Sequence, residues 1–258
     1  EDLAAWGWRV LVLVGALLAA VMVPLRRVMD ETETFTEVND TAENTARSPL
    51  VTVLRTHPRA VLVAFLVSSV GSAAYFLNIT NVPTYLETTA SIDSSTSLWL
   101  GTVAAVVAIL VTPLAGVASD RFGRRPVFIF VGVVILATTI PAYMMLGGGT
   151  GSTALLGGAL LAVPAAGWSA VAASAVPEQF TAVGRFSGMA IGYNTATVLF
   201  GGLSPFVATW LMTVTGSPYA PAWYAVAIIV FAGIPMLLLF RDRAHVPLDE
   251  INSGAADG

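Results

Sequence analysis

The sequence predicts an all-α membrane protein with seven transmembrane helices. Three observations carry that reading: charge is scarce, the apolar runs are long, and the basic residues fall in alternate connections. Charged residues are 11% of the 258 and hydrophobic ones 56%, with a mean hydropathy of +0.78. A soluble domain carries about 25% charged residues, so a chain this apolar has too little polar surface to face water. There is no Cys, and the two His, His57 and His245, lie outside the apolar runs. Both facts argue against a metal centre. The net charge of −4 gives no basic footprint for a nucleic-acid partner.

A membrane helix needs about 20 mostly apolar residues. Seven stretches meet that length: residues 6–25, 60–85, 98–117, 127–146, 153–176, 187–214 and 222–240. The second and sixth are long enough to tilt or kink. Pro83 and Pro205 lie within them, and Gly201-Gly202 precedes Pro205. Such breakers are tolerated where neighbouring helices re-satisfy the backbone.

Connections 26–59, 118–126 and 177–186, with the tail after 240, hold eleven of the twelve basic residues, all Arg. Connections 86–97, 147–152 and 215–221 hold none. Basic loops face the cytoplasm, so the C-terminus is expected inside and residue 1 on the outer side of a plasma (inner) membrane. Trp6, Trp8, Trp99, Trp210, Tyr219 and Trp223 cluster near the Arg-free face, as an interfacial belt does. An outside N-terminus with no signal peptide before the first span suggests upstream spans, and the chain is expected to be the C-terminal portion of a longer protein.

Residues 26–58 are polar and rich in Thr, Glu and Asn, the composition of a solvated linker. Within them, 49–55 has the pattern of a short amphipathic helix on the membrane surface. Asn39-Asp40-Thr41 matches a glycosylation sequon, which a cytoplasmic loop would leave unmodified. Gly184, Gly188 and Gly192 are spaced by four, a stripe that lets helices approach closely.

The connection Gly116-Val117-Ala118-Ser119-Asp120-Arg121-Phe122-Gly123-Arg124-Arg125-Pro126 reverses the chain in a few residues. Gly123 permits backbone angles that other residues resist, and Pro126 suits the first turn of the next helix. Asp120 stands at a helix C-terminus, where the dipole disfavours negative charge, so it needs a partner; Arg121, Arg124, Arg125 and a neighbouring helix N-terminus are the candidates. Glu178 and Arg185 form a second charged pair in the next Arg-bearing connection. The two connections are expected to meet as a latch that closes the cytoplasmic side in one conformation.

The pattern G-x-x-x-D-R-x-G-R-R resembles the cytoplasmic motif of the major facilitator superfamily, in its second-half copy. Gly7-Trp8-Arg9, Arg26-Arg27 with Glu31-Thr32 and Phe35, Tyr75-Phe76 with Pro83-Thr84-Tyr85-Leu86, and Arg185-Phe186-Ser187-Gly188-Met189-Ala190-Ile191-Gly192-Tyr193-Asn194 are similar to its metabolite:proton symporters. Those carry proline/betaine, α-ketoglutarate, citrate and shikimate. Phe200-Gly201-Gly202, Pro205-Phe206, Ala208-Thr209-Trp210, Gly216-Ser217-Pro218 and Pro221-Ala222-Trp223-Tyr224 continue the likeness. The run from Glu178 to Arg185 departs from the family pattern by lacking a Pro and one Arg.

The resemblance implies helix 6 of a carrier at 1–25, a cytoplasmic linker at 26–58, the C-terminal six-helix half at 59–240 and a cytoplasmic tail at 241–258. Helices 1–5, which belong to the N-terminal half, would be missing. It implies alternating-access transport of a small polar metabolite, an organic acid or zwitterionic osmolyte, coupled to protons, with no other cofactor. The lipid bilayer, the small-molecule substrate and the missing N-terminal half are the expected partners. A sugar or drug carrier of the same superfamily is the alternative, followed by a non-transporting fragment or a sensor. An enzyme would need a convergent catalytic set within the spans, and there is none.

No Asp, Glu, His or Arg lies deep in any span, so the proton-coupling group is not expected here. The neutral polar candidates for a substrate cavity are Tyr75, Asn78, Asn81, Trp168, Tyr193 and Asn194, with Asn78 and Asn194 preferred. Helical spacing puts Tyr75, Asn78 and Tyr85 nearest one face. Such groups also hydrogen-bond neighbouring helices, and that reading stays open beside the functional one.

Overall fold

A computed structural model describes residues 6–28, 49–148 and 151–247. It divides into two units, 1–46 and 47–258. The first holds α1 (Trp8–Val28), with Pro24 inside it. Residues 10–25 of it carry no charge, and six helices of the second unit are long and apolar enough to cross a membrane. Six of the seven predicted spans are thus recovered as apolar helices of membrane length, and the predicted first span falls on α1. Most of the predicted linker, residues 29–48 with the Asn39 sequon, lies outside the described residues.

The second unit opens with α2 (Pro49–Thr56), the short helix read at 49–55; it buries Val53 and exposes Leu50, Val51 and Leu54. α3 (Pro58–Tyr75) follows, then a π turn (Phe76–Thr80) and α4 (Val82–Thr89). α5 (Ser94–Phe122), α6 (Arg124–Gly148) and α7 (Gly151–Ala175) are long and unbroken, and α7 runs into a 3₁₀ turn (Pro177–Gln179). α8 (Ala182–Ala196) leads through a second π turn (Thr197–Gly202) into α9 (Ser204–Thr215), and α10 (Ala220–Leu239) closes the bundle. No strand occurs among the described residues. The chain is a multi-pass membrane protein.

The two predicted breaks take one form. Pro83 has no N–H to give Ile79, and its ring would crowd that carbonyl. The helix widens first: Asn81 N–H donates back five residues to Phe76 O at 2.8 Å. Before Pro205, Leu203 N–H donates to Val198 O at 3.1 Å in the same way. Two loosened carbonyls find hydroxyls: Tyr143 donates to Leu77 O at 2.9 Å, and Ser204 to Phe200 O. The turns also meet, since a Cβ on Gly201 would stand 2.9 Å from the Phe76 ring.

α5 starts four residues earlier than the apolar run suggests because Asp93 caps it. Its carboxylate accepts Thr96 N–H at 2.9 Å, and that backbone hydrogen bond chiefly holds the carboxyl below its ordinary range. The core centres on Trp168 of α7. Its Nε1–H donates to Val67 O of α3 at 3.0 Å, and its ring lies 4.6 Å from that of Phe128 on α6. α5, by contrast, is mostly uncovered and presents Trp99, Ile109, Leu110, Leu114 and Val117 outward.

Candidate functional site

At the Arg-rich end, α5 and α6 are joined through Gly123 alone, at φ +94°. Only Gly adopts that angle without strain. A Cβ there would also lie 2.8 Å from Asp242 Oδ2. The Asp242 carboxylate instead receives the N–H groups of Arg124 (3.2 Å) and Arg125 (2.8 Å), capping α6 from the C-terminal tail. That is the interaction a helix N-terminus favours.

Arg124 points inward from this turn. Its guanidinium grips Glu178 with Nε at 3.2 Å and Nη2 at 2.9 Å. Its Nη1 reaches Ser119 Oγ (2.8 Å) and Asp120 Oδ1 (2.5 Å). The side chains of Arg124 and Glu178 are 7% and 14% exposed, that of Asp120 70%. The two Arg-bearing connections therefore meet, through Arg124 and Glu178. Asp120 finds its partner four residues on, across the Gly123 turn. Arg185 turns to its own loop and donates to Phe180 O at 3.4 Å. Arg121, stacked 5.6 Å from the Phe122 ring, and Arg125 are exposed, and Gly116 has open space beside it.

The tail completes this end. Gln179 Nε2 donates to Arg241 O at 2.9 Å and Arg243 Nη1 to Glu178 O at 3.0 Å. Arg59 holds Leu239 O with two N–H donors, at 3.1 and 2.9 Å. These tail contacts are invisible in the sequence, because only the packed bundle brings α10 beside α6 and the 3₁₀ turn.

Toward the middle of the bundle a cavity of about 360 Å³ lies between α3, α7 and α8. α3 lines it with Ser68, Ser72 and Tyr75, α7 with Ser169 and Ala172, and α8 with Met189 and Tyr193. Phe76 and Thr197, which open the two π turns, complete the wall. Ser72 Oγ and Thr197 Oγ1 are 3.1 Å apart, tying α3 to the second π turn. Ser68 Oγ is buried without a hydrogen-bond partner among the described residues. Among the described residues, no Asp, Glu, His, Arg or Lys lines the cavity.

The six predicted cavity residues separate. Tyr75 and Tyr193 line the cavity from opposite helices. Asn194 is exposed and Asn81 half-buried, neither of them in the cavity wall. Trp168 is the core residue described above. Asn78 is fully buried, and neither amide atom has a partner among the described residues. The predicted shared face of Tyr75, Asn78 and Tyr85 does not form. Asn78 sits inside the π turn, where α-helical counting fails, and Tyr85 is buried with its hydroxyl on Pro218 O at 3.0 Å. The structure adds Ser68, Ser72, Met189 and Thr197 to the cavity wall. Their signal is Ser68/Ser72/Tyr75 and Met189/Tyr193/Thr197, two rows at helical spacing.

The sequence profile of the family described as Major Facilitator Superfamily matches residues 70–255. The Ectoine/proline transporter ProP of Corynebacterium glutamicum is 32% identical over 252 residues, covering 94% of this chain and 50% of that protein. The Glycine betaine/proline/ectoine/pipecolic acid transporter OusA of Dickeya dadantii is 27% identical over 261 residues, 98% of this chain and 52% of that protein. The Proline/betaine transporter of Salmonella typhimurium is 27% identical over 265 residues, 100% of this chain and 53% of that protein. The chain spans about half the length of these curated relatives.

Proposed function

We propose a carrier role from one premise: the chain belongs to the major facilitator superfamily. In this reading it works in secondary active transport of a small zwitterionic osmolyte, proline or a betaine, by alternating access in the plasma (inner) membrane. The observation that carries it is the 360 Å³ cavity between α3, α7 and α8, walled by hydroxyls and aromatic rings and free of charged side chains. Carrier sites lie near the bilayer midplane, where two halves face each other. The uncovered faces of α5 and α8 suit a second six-helix half. Tyr75 and Tyr193 are the cavity residues this reading uses. The relatives' names support a zwitterion over an organic acid, a sugar or a drug.

Transport is coupled to protons in this proposal, with the proton-carrying group outside the described residues. The test is uptake of labelled proline and glycine betaine by cells expressing the complete coding sequence that contains this chain, with and without a protonophore. Saturable uptake that the protonophore abolishes is the expected result. Uptake of dicarboxylates alone, or zwitterion uptake indifferent to the protonophore, would remove the reading.

The Arg-rich end faces the cytoplasm, with the C-terminus inside, and acts as a gate. Within it, exposed Asp120, Arg121 and Arg125 form the contacting face, while Arg124 and Glu178 hold the loop in shape. Reversing the charge in Asp120→Arg should shift the inward/outward balance in cysteine-accessibility labelling. An unchanged labelling pattern would exclude a gating role for that face.

A further inference from the structure

Resting on the zwitterion reading, we infer that the cavity between α3, α7 and α8 holds the ammonium end of the substrate. Its grip comes from the ring faces of Tyr75, Phe76 and Tyr193 and from the Met189 thioether, with no counter-ion. The two ends of a zwitterion make different demands. A carboxylate taken out of water needs a cation or several converging hydrogen-bond donors; among the described residues the wall holds no cation, and of its hydroxyls Ser72 and Thr197 engage each other and Ser169 donates to Ala165 O. A carbon-clad ammonium is weakly hydrated and is attracted to the electron-rich faces of aromatic rings.

The wall is built for the second task. Tyr75 and Tyr193 are 42% and 50% exposed, although both belong to bundle helices, and both line the cavity. Phe76 stands beside Tyr75 with ring centroids 6.2 Å apart and planes at 67°, so two differently directed rings flank one side. Met189 contributes a polarizable sulfur to the same cavity. One buried hydroxyl of the same wall is unspent: Ser68 is 3% exposed, lines the cavity, and its Oγ has no hydrogen-bond partner among the described residues, so it can accept an N–H of a proline ammonium, whereas a trimethylammonium has none to give and relies on the rings. Buried hydroxyls are ordinarily satisfied. A helical Ser usually bonds back to its own turn, as Ser69 does to Phe65 O at 2.7 Å. The carboxylate end of the substrate then lies away from this wall.

The experiment compares glycine betaine with 3,3-dimethylbutanoate, its carbon isostere. The two share shape and carboxylate and differ only in the positive charge. Competition against labelled betaine is measured in cells expressing the complete coding sequence that contains this chain. The unsubstituted carrier should prefer betaine by roughly 10- to 30-fold, the discrimination a desolvated cation–π contact gives. Tyr75→Leu and Tyr193→Leu should each pull that ratio toward one, with little change in affinity for the isostere, and Tyr75→Phe should keep it. A ratio near one in the unsubstituted carrier, or a full ratio in whichever Leu variants reach the membrane, would overturn the assignment while leaving zwitterion transport intact. Absence of any proline or betaine uptake by the unsubstituted carrier would instead overturn the zwitterion reading, and this assignment with it.

Discussion

Arg124→Met should destabilise the helix bundle by about 3–5 kcal/mol, the cost of leaving one member of a buried ion pair alone. Arg124 and Glu178 are nearly out of water, and three guanidinium nitrogens are committed to Glu178, Ser119 and Asp120. Removing the cation leaves the Glu178 carboxylate with its desolvation and without its partner. Asp120→Asn breaks the shorter contact in the same cluster, yet it should change stability by less than about 1 kcal/mol, because a carboxylate 70% exposed is screened by water. Burial, not distance, decides between the two.

The check is the thermal midpoint of detergent-solubilised protein for Arg124→Met, Asp120→Asn, Glu178→Gln and the Arg124→Met/Glu178→Gln double variant. The double variant should be more stable than Arg124→Met alone, since it no longer buries an unpaired charge. Strict additivity of the two single effects would show that the pair is not coupled. Both residues belong to the bundle of residues 47–258. The pair is therefore expected to brace the loop in every state of the transport cycle, and stability should respond more than the inward/outward balance.

The sequence made much of this end legible. Asp120 at a helix C-terminus needs a positive partner, and Arg124 stands four residues on, just across the Gly123 turn. That the two Arg-bearing connections meet was legible from their placement on one side of the membrane. Which residues carry the contact was not: Glu178 went to Arg124 rather than to Arg185 across its own loop. Asp242 could not be anticipated, because a tail residue capping a helix 118 positions earlier is decided only by packing. The kinks show the same division. Pro83 and Pro205 marked where the helices break, but not that each break is a π turn. That difference sent Asn78 into the interior instead of the cavity. Taken singly, Ser68 and Ser72 carry little signal, because a lone hydroxyl in an apolar helix so often bonds its own turn. Read together with Tyr75, they form a row on one face.

Gly192→Leu should separate α8 from α3 and pull apart the cavity wall they share. A Cβ at Gly192 would stand 2.8 Å from Val61 O, 2.9 Å from Ala64 Cβ and 3.1 Å from Phe65 N. These are backbone atoms and a methyl fixed to backbone, so no side chain can swing aside and the helices must part. Overpacking of this kind costs about 1–3 kcal/mol. The stripe read at Gly184, Gly188 and Gly192 is not one uniform contact. Gly184 receives the His57 ring, Gly188 the Phe180 ring, and only Gly192 touches a neighbouring backbone. Gly116→Ala is the contrast, because nothing lies within 4 Å of a Cβ there and alanine favours the helix by roughly 1 kcal/mol. The absence of native Cys gives a direct reporter. Ser72→Cys with Thr197→Cys places two thiols where the oxygens are now 3.1 Å apart, close enough for a disulfide to form. Cross-linking should be efficient in the Gly116→Ala background and lost in Gly192→Leu, together with substrate uptake. Undiminished cross-linking in Gly192→Leu would mean that α3 and α8 absorb the added bulk without parting.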